Sequence, residues 1–178
     1  MARPRSLAFL GTSLDGFIAG PDDELDWLER GGVPVEDNGF GEFFASVDAL
    51  LVGRRTWEVV SRFPMWPYGD KPLFVLTRRP AQGSHGERFV DGAPAGILAA
   101  LGDQGFRRVY VDGGRVVSQF LAVGLLDELT VSILPVVIGR GIRLFDDAGP
   151  ERWLDLVSSR VFGSGMVQLR YAARRPSP

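Results

Sequence analysis

Apolar residues recur along this chain in two alternating rhythms. SLAFLG (6–11), ALLVG (49–53), LFVLT (73–77) and RRVYVDG (107–113) are short, nearly unbroken apolar runs, as in strands covered on both faces. Between them the spacing turns helical. RRTWEVVSRF (54–63) places Trp57, Val60 and Phe63 on one face, APAGILAALGDQG (93–105) turns Ile97, Leu98 and Leu101 inward, and RVVSQFLAVG (115–124) repeats the pattern with Val116, Val117, Phe120 and Leu121. FGEFFASVD (40–48) reads as a short helix and RFVD (88–91) as a weak strand. TSLDGFIAGPDDELDW (12–27), punctuated by Gly, Pro and Asp, reads as a long loop running into a short helix over 24–30, and GGVPVEDNG (31–39) as a second loop.

After residue 121 the rhythm changes. DELTVSILPVVIG (127–139) is strand-like, an Arg- and Gly-rich loop follows, and 154–175 reads as two strands around Gly163, Ser164 and Gly165. Strands alternating with helices and then strands in succession predict an α/β fold, with a mostly parallel central sheet extended by an antiparallel C-terminal hairpin. No repeat or linker divides the chain, so residues 1–178 are read as one domain with a frayed tail at 174–178.

Composition narrows the possible functions. The 178 residues contain no Cys, which excludes disulfides, thiolate zinc sites and a Cys nucleophile. A formal charge of -2 lacks the basic footprint of a nucleic-acid binder, and the N-terminus holds no signal peptide or membrane span. A soluble cytoplasmic protein without nucleic-acid or membrane partners is the expectation. All but Lys71 of the 20 basic residues are Arg, whose planar fork suits phosphate oxygens. A genome that spells its basic residues as Arg accounts equally well for most of them.

Three corners nevertheless combine strand ends with phosphate donors, and open α/β sheets bind ligands at the carboxyl ends of their strands. At LVGRRTWE a strand ends at Gly53 and a helix begins, so free N–H groups, the helix dipole, Thr56, Arg54 and Arg55 favour an anion. At FVLTRRP, Thr77, Arg78 and Arg79 close a strand and could grip a ribose 2′-phosphate. At VDGGRVVSQFL, Gly113 and Gly114 let a pyrophosphate approach bare backbone, with first-turn N–H groups from Arg115 and Val116. Each corner alone also reads as a capped helix, a solvated basic turn or a tight strand-to-helix turn.

In this order and spacing, the three corners resemble those of the dihydrofolate reductase superfamily. SLDGFIAG, the acid before Gly-Gly, LLDEL and LPVVIGRGIRLF resemble more closely the reductase domain of riboflavin biosynthesis, the RibD C-terminal branch. The resemblance implies a three-layer dihydrofolate-reductase-like fold and an NADPH-dependent reductase of the 5-amino-6-(5-phosphoribosylamino)uracil reductase kind, with a folate or other small-molecule reductase and a non-catalytic nucleotide-binding or dimerisation module as alternatives. It implies nicotinamide contacts at Ala19 and Gly20, phosphate contacts at Gly53, Arg54, Arg55 and Thr56, 2′-phosphate contacts at Thr77, Arg78 and Arg79, and pyrophosphate contacts at Gly113, Gly114, Arg115 and Val116. Asp112 corresponds to an acid that faces the substrate and could relay a proton, although an Asp also stabilises its own turn. Asp15 could support the substrate pocket, and its Asp-Gly pair is equally a common turn. Asp26 and Glu29 stand near the place of the pterin-binding carboxylate without a secure match. Gly139 to Gly141 could lie near the substrate or simply form a loop, and His85 reads as exposed. A homodimer through the apolar C-terminal strands is expected, with any deaminase step belonging to another chain.

Overall fold

A computed structural model describes residues 3–30, 38–79, 81–145 and 149–174. The strands are β1 (Arg5–Ser13), β2 (Phe17–Ala19), β3 (Ala49–Gly53), β4 (Leu73–Leu76), β5 (Arg88–Val90), β6 (Arg108–Asp112), β7 (Glu128–Leu134), β8 (Ile142–Arg143), β9 (Leu154–Val161) and β10 (Val167–Ala173). The helices are α1 (Trp27–Arg30), α2 (Phe40–Ala45), α3 (Arg54–Val60), α4 (Pro94–Asp103) and α5 (Gly114–Ala122). Eight strands form one sheet in the order β5-β4-β3-β6-β1-β7-β10-β9, parallel from β5 to β7 and antiparallel from β7 through β10 to β9. The mostly parallel sheet with its antiparallel C-terminal hairpin is therefore as the sequence predicts.

The unbroken apolar runs follow from burial on both faces. Side chains alternate along each strand. Ala8, Leu10, Ala49, Leu51, Val109 and Val111 pack on one face against Ile97, Leu98 and Leu101 of α4 and Val116, Val117 and Phe120 of α5. Leu7, Phe9, Leu50, Val52 and Tyr110 pack on the other against Val60 and Trp57 of α3 and Phe43 and Phe44 of α2. Three layers result.

Two sequence expectations change. Phe63 does not extend the inward stripe of α3, because the helix stops at Val60 and Phe63 is 42% exposed. The segments read as loops around Phe17 and Ile142 instead pair as a second, antiparallel sheet of β2 and β8. That pairing is too short to leave an alternating pattern, and it depends on Gly141, where a Cβ would come 2.1 Å from Ala19 O. Arg174 is tied by its N–H to Trp153 O and by its guanidinium to Asp155, while 175–178 lie outside the described residues. So do most of the 31–39 loop and the Glu29 side chain. Among the described residues no helix is long and apolar enough to cross a membrane.

Candidate functional site

Two of the three corners meet in space. Gly113 has φ +95°, and a Cβ there would lie 2.5 Å from Thr56 Oγ1 and 3.7 Å from the Gly53 backbone N. The β3–α3 and β6–α5 turns thus touch at a position only Gly can fill. Neither α3 nor α5 has a side-chain cap, so the donors of their first turns are not taken up by a capping group. The third corner joins through Arg54, whose Nη1 donates to Arg79 O at 3.2 Å while its Nε pairs with Glu58 at 2.7 Å. Thr77 Oγ1 accepts the Arg79 N–H at 3.1 Å, closing that turn on itself. Arg78, Arg79 and Arg115 extend exposed side chains without a partner among the described residues.

Other predicted donors are already engaged. Arg55 pairs with Asp23 and donates to Pro21 O at 3.2 Å, tying α3 to the 21–23 turn. Gly114 is buried, and a Cβ on it would stand 2.8 Å from Arg143 O and 3.1 Å from Leu144 O. Its bareness therefore admits the β8 segment of this chain rather than a ligand. The Gly113 N–H is held by Asp112 Oδ1 at 2.8 Å.

Asp112 is half-buried, in phase with Tyr110, on the face covered by α2 and α3. Desolvation pushes its carboxyl up to about 6, opposed by the Gly113 N–H and the nearby Tyr110 hydroxyl. Tyr110 donates to Phe9 O at 2.9 Å. Burial also raises the Tyr110 and Tyr68 phenols, with the Asp112 charge adding to both. An acid so poised can exchange a proton near neutrality.

Asp15 sits differently. It accepts from Ser13 Oγ at 2.6 Å, Gly139 N at 2.8 Å and Ile138 N at 3.3 Å, and these bonds, the Ser13 one foremost, hold its carboxyl below the usual Asp range. It clamps the loop after β7.

That loop walls a cleft of about 550 Å³, lined also by Gly20, Glu24, Asp26, Trp27 and Arg140. Trp27, 7% exposed, packs on Leu134, Phe162 and Met166. Its Nε1–H is buried with no hydrogen-bond partner among the described residues. Such a donor costs about 1–3 kcal/mol when left unpaired. The cleft and Asp112 share one face of the sheet. Leu28 covers Gly11, which is in phase with Leu7 and Phe9 on β1, and β1 lies between β6 and β7.

Residues 6–168 match the family of the RibD C-terminal domain. The chain belongs to the RibD C-terminal domain family. It is 34% identical over 171 residues to the uncharacterized protein YwjB of Bacillus subtilis (strain 168), covering 94% of this chain and 97% of YwjB. It superposes with a TM-score of 0.88 and 34% identity on a provisionally assigned riboflavin biosynthesis protein from Shewanella sp. PV-4, covering 96% and 99% of the two chains. A TM-score of 0.68 at 19% identity relates it to dihydrofolate reductase from Enterococcus faecalis, solved with NADP(H), over 96% and 97% of the two chains, which shows a shared fold.

Within this RibD C-terminal domain, the site holds residues the motifs did not single out, Trp27, Tyr68 and Tyr110, while Arg140 and the 136–138 wall come from the LPVVIGRGIRLF stretch expected near the substrate. Trp27 had one signal. It is a large aromatic that ends an acidic, Pro- and Gly-punctuated segment. Of the other expected residues, Asp26 lines the cleft, Gly139 is fixed by Asp15, and Ala19 is buried in β2. His85 is exposed and stacks on Trp66 at 4.1 Å, next to Glu87.

Proposed function

We propose that this protein is an NADPH-dependent reductase of a small heterocyclic or ribosyl substrate, most similar in role to 5-amino-6-(5-phosphoribosylamino)uracil reductase. The observation that carries this reading is the meeting of the Gly53–Thr56 and Asp112–Val116 corners, where Gly113 has no room for a side chain beside Thr56. The donor set suits a dinucleotide. Thr56, Arg115 and the first-turn N–H groups of α5 would hold the pyrophosphate, Thr77, Arg78 and Arg79 the 2′-phosphate, and Ala19 and Gly20 the nicotinamide edge. NADPH, when bound, supplies the hydride. Asp112 would give or orient the accompanying proton, because desolvation keeps a share of it protonated near pH 6.

Titration with NADPH, followed by nucleotide fluorescence, tests the reading, and no binding at micromolar concentration would leave only a fold kept without its chemistry. Substituting Glu at both Arg78 and Arg79 should weaken NADPH at least tenfold, roughly 1.4 kcal/mol or more, while sparing NADH. Equal losses for the two nucleotides would remove the 2′-phosphate assignment.

Dihydrofolate reduction is a second reading, favoured by the Asp26 carboxylate in the wall of the cleft. Turnover of dihydrofolate against that of the phosphoribosylaminouracil decides between them. The reading includes a homodimer. β9 is an edge strand with Leu156, Val157 and Val161 exposed, at 57%, 52% and 74%. Light scattering on wild type and Val161→Lys tests it, the variant being expected to run as a monomer.

A further inference from the structure

The unpaired indole N–H of Trp27 stands out among the buried polar groups. Side-chain donors and acceptors buried in a folded chain find partners with few exceptions. Of the other indoles, Trp57 Nε1 donates to Glu87 at 2.9 Å and Trp153 Nε1 to Glu151 at 2.6 Å, and the nitrogen of half-buried Trp66 is not shut off from solvent. The Trp27 nitrogen has neither such a partner among the described residues nor contact with solvent, and its residue lines the cleft between α1 and the loop after β7. Packing does not require an indole there. Leu134, Phe162, Met166 and the neighbouring Leu28, Val136 and Ile138 would accommodate a purely apolar ring equally well.

We propose that the Trp27 indole N–H, closed off from solvent in the ligand-free chain, is a substrate-recognition donor that a shift of the cleft wall uncovers to bind a carbonyl oxygen or ring nitrogen on the edge of a planar heterocycle lodged in this cleft. Val136 and Ile138, which pack beside the indole, favour a flat ring against it, while Glu24, Asp26 and Arg140 in the same lining suit the polar parts of a substrate, so Trp27 reads the heterocyclic part. This rests on the reductase reading for the identity of the cleft as the substrate pocket. It goes beyond that reading in naming which part of the substrate the pocket reads and through which atom.

The test uses the intact protein and two probes, 5-amino-6-(5-phosphoribosylamino)uracil and dihydrofolate, each with and without NADPH. In a 1H–15N spectrum the Trp27 indole peak is assigned by its disappearance in Trp27→Phe. Addition of at least one probe should move that peak downfield, and Trp27→Phe should raise that probe's Kd roughly tenfold, equivalent to about 1.4 kcal/mol. NADPH affinity should be unchanged, and the Tm of the ligand-free protein should move little, because relief of the unpaired donor offsets the packing lost with the smaller ring. A peak that neither probe moves at millimolar concentration overturns the proposal. So does an equal Kd in the variant. Failure of the reductase reading looks different: NADPH would shift no peak and leave no binding isotherm, while the Trp27 response to a heterocycle could still be present.

Discussion

The chain contains two Asp-Gly corners at the carboxyl ends of neighbouring strands, and they behave in opposite ways. Asp15-Gly16 follows β1, and Asp112-Gly113 closes β6, the strand beside it. Three donors surround Asp15 and stabilise its charge, whereas Asp112 is crowded by Tyr110 and Tyr68 and has one firm backbone donor. Gly16 faces open space, while Gly113 faces Thr56. The same dipeptide therefore makes a clamp in one place and a poised acid in the other. Turn chemistry is common to both, and the neighbours supplied by distant sequence decide the rest.

The glycines offer the largest test of that contrast. Gly16 has φ +86° and nothing within 4 Å of where a Cβ would stand, so Gly16→Ala should cost only the left-handed backbone strain, about 1–2 kcal/mol. Gly113, at φ 95° and ψ 129°, lies outside the left-handed well, so Gly113→Ala carries at least that strain and adds a 2.5 Å clash with Thr56, bringing its cost to roughly 3 kcal/mol or more. Urea midpoints at constant m would show the difference. Thr56→Ala should recover the excess at Gly113 and nothing at Gly16, and a cycle without coupling would separate the two corners that the fold joins.

Sequence patterning carried the sheet because each central strand alternates between two buried faces, and it carried the helices because α4 and α5 each bury a stripe. The β2–β8 pairing was hidden for a physical reason. It depends on Gly141 and Gly114 admitting backbone from elsewhere, a contact that no local pattern records. The strand-to-helix corners at Gly53–Thr56 and Asp112–Val116 were visible in residue types and order. What could not be seen was that Gly114 accommodates β8, that Arg55 is committed to Asp23, and that the cleft is built around Trp27, because all three depend on which loops meet.

The carboxylates give a smaller effect of definite sign. Asp112 titrates near 6 in the fold against 3.8 in the ordinary case, so its ionised form is disfavoured by folding. The native state then binds more protons than the unfolded state between about pH 4 and 6, and stability falls as pH rises through that window. At about 1.36 kcal/mol per pH unit the full difference corresponds to roughly 3 kcal/mol, and the half-buried position argues for about half of it. Asp112→Asn, which keeps an acceptor for the Gly113 N–H, should be more stable than wild type above about pH 6, with the gain vanishing near pH 4. Thermal melts across that range check it, and a gain independent of pH would mean that desolvation of the charge is not its cause. The same variant should lose turnover without losing NADPH affinity if Asp112 handles the proton.

Asp15 reverses the sign. Its carboxyl lies below the usual Asp range because Ser13, Gly139 and Ile138 donate to the charged form. Its stabilising contribution is therefore present above the ordinary Asp value and is lost as pH falls through the lower, folded one. Asp15→Asn should destabilise at neutral pH and become indistinguishable from wild type in acid, the mirror image of Asp112→Asn. This is the smallest of the three expected effects, so hydrogen exchange is a better reporter than melting. The Ile138 and Gly139 amides should lose protection in the variant while Arg5 N, bonded to Arg107 O at the far end of β1, keeps its own. If those two amides stay protected, the loop that walls the cleft is held by its packing and the clamp is redundant. If they open, the wall facing Trp27 depends on an Asp-Gly turn that is otherwise ordinary, and the contrast with Asp112 rests on where each turn is set in the fold.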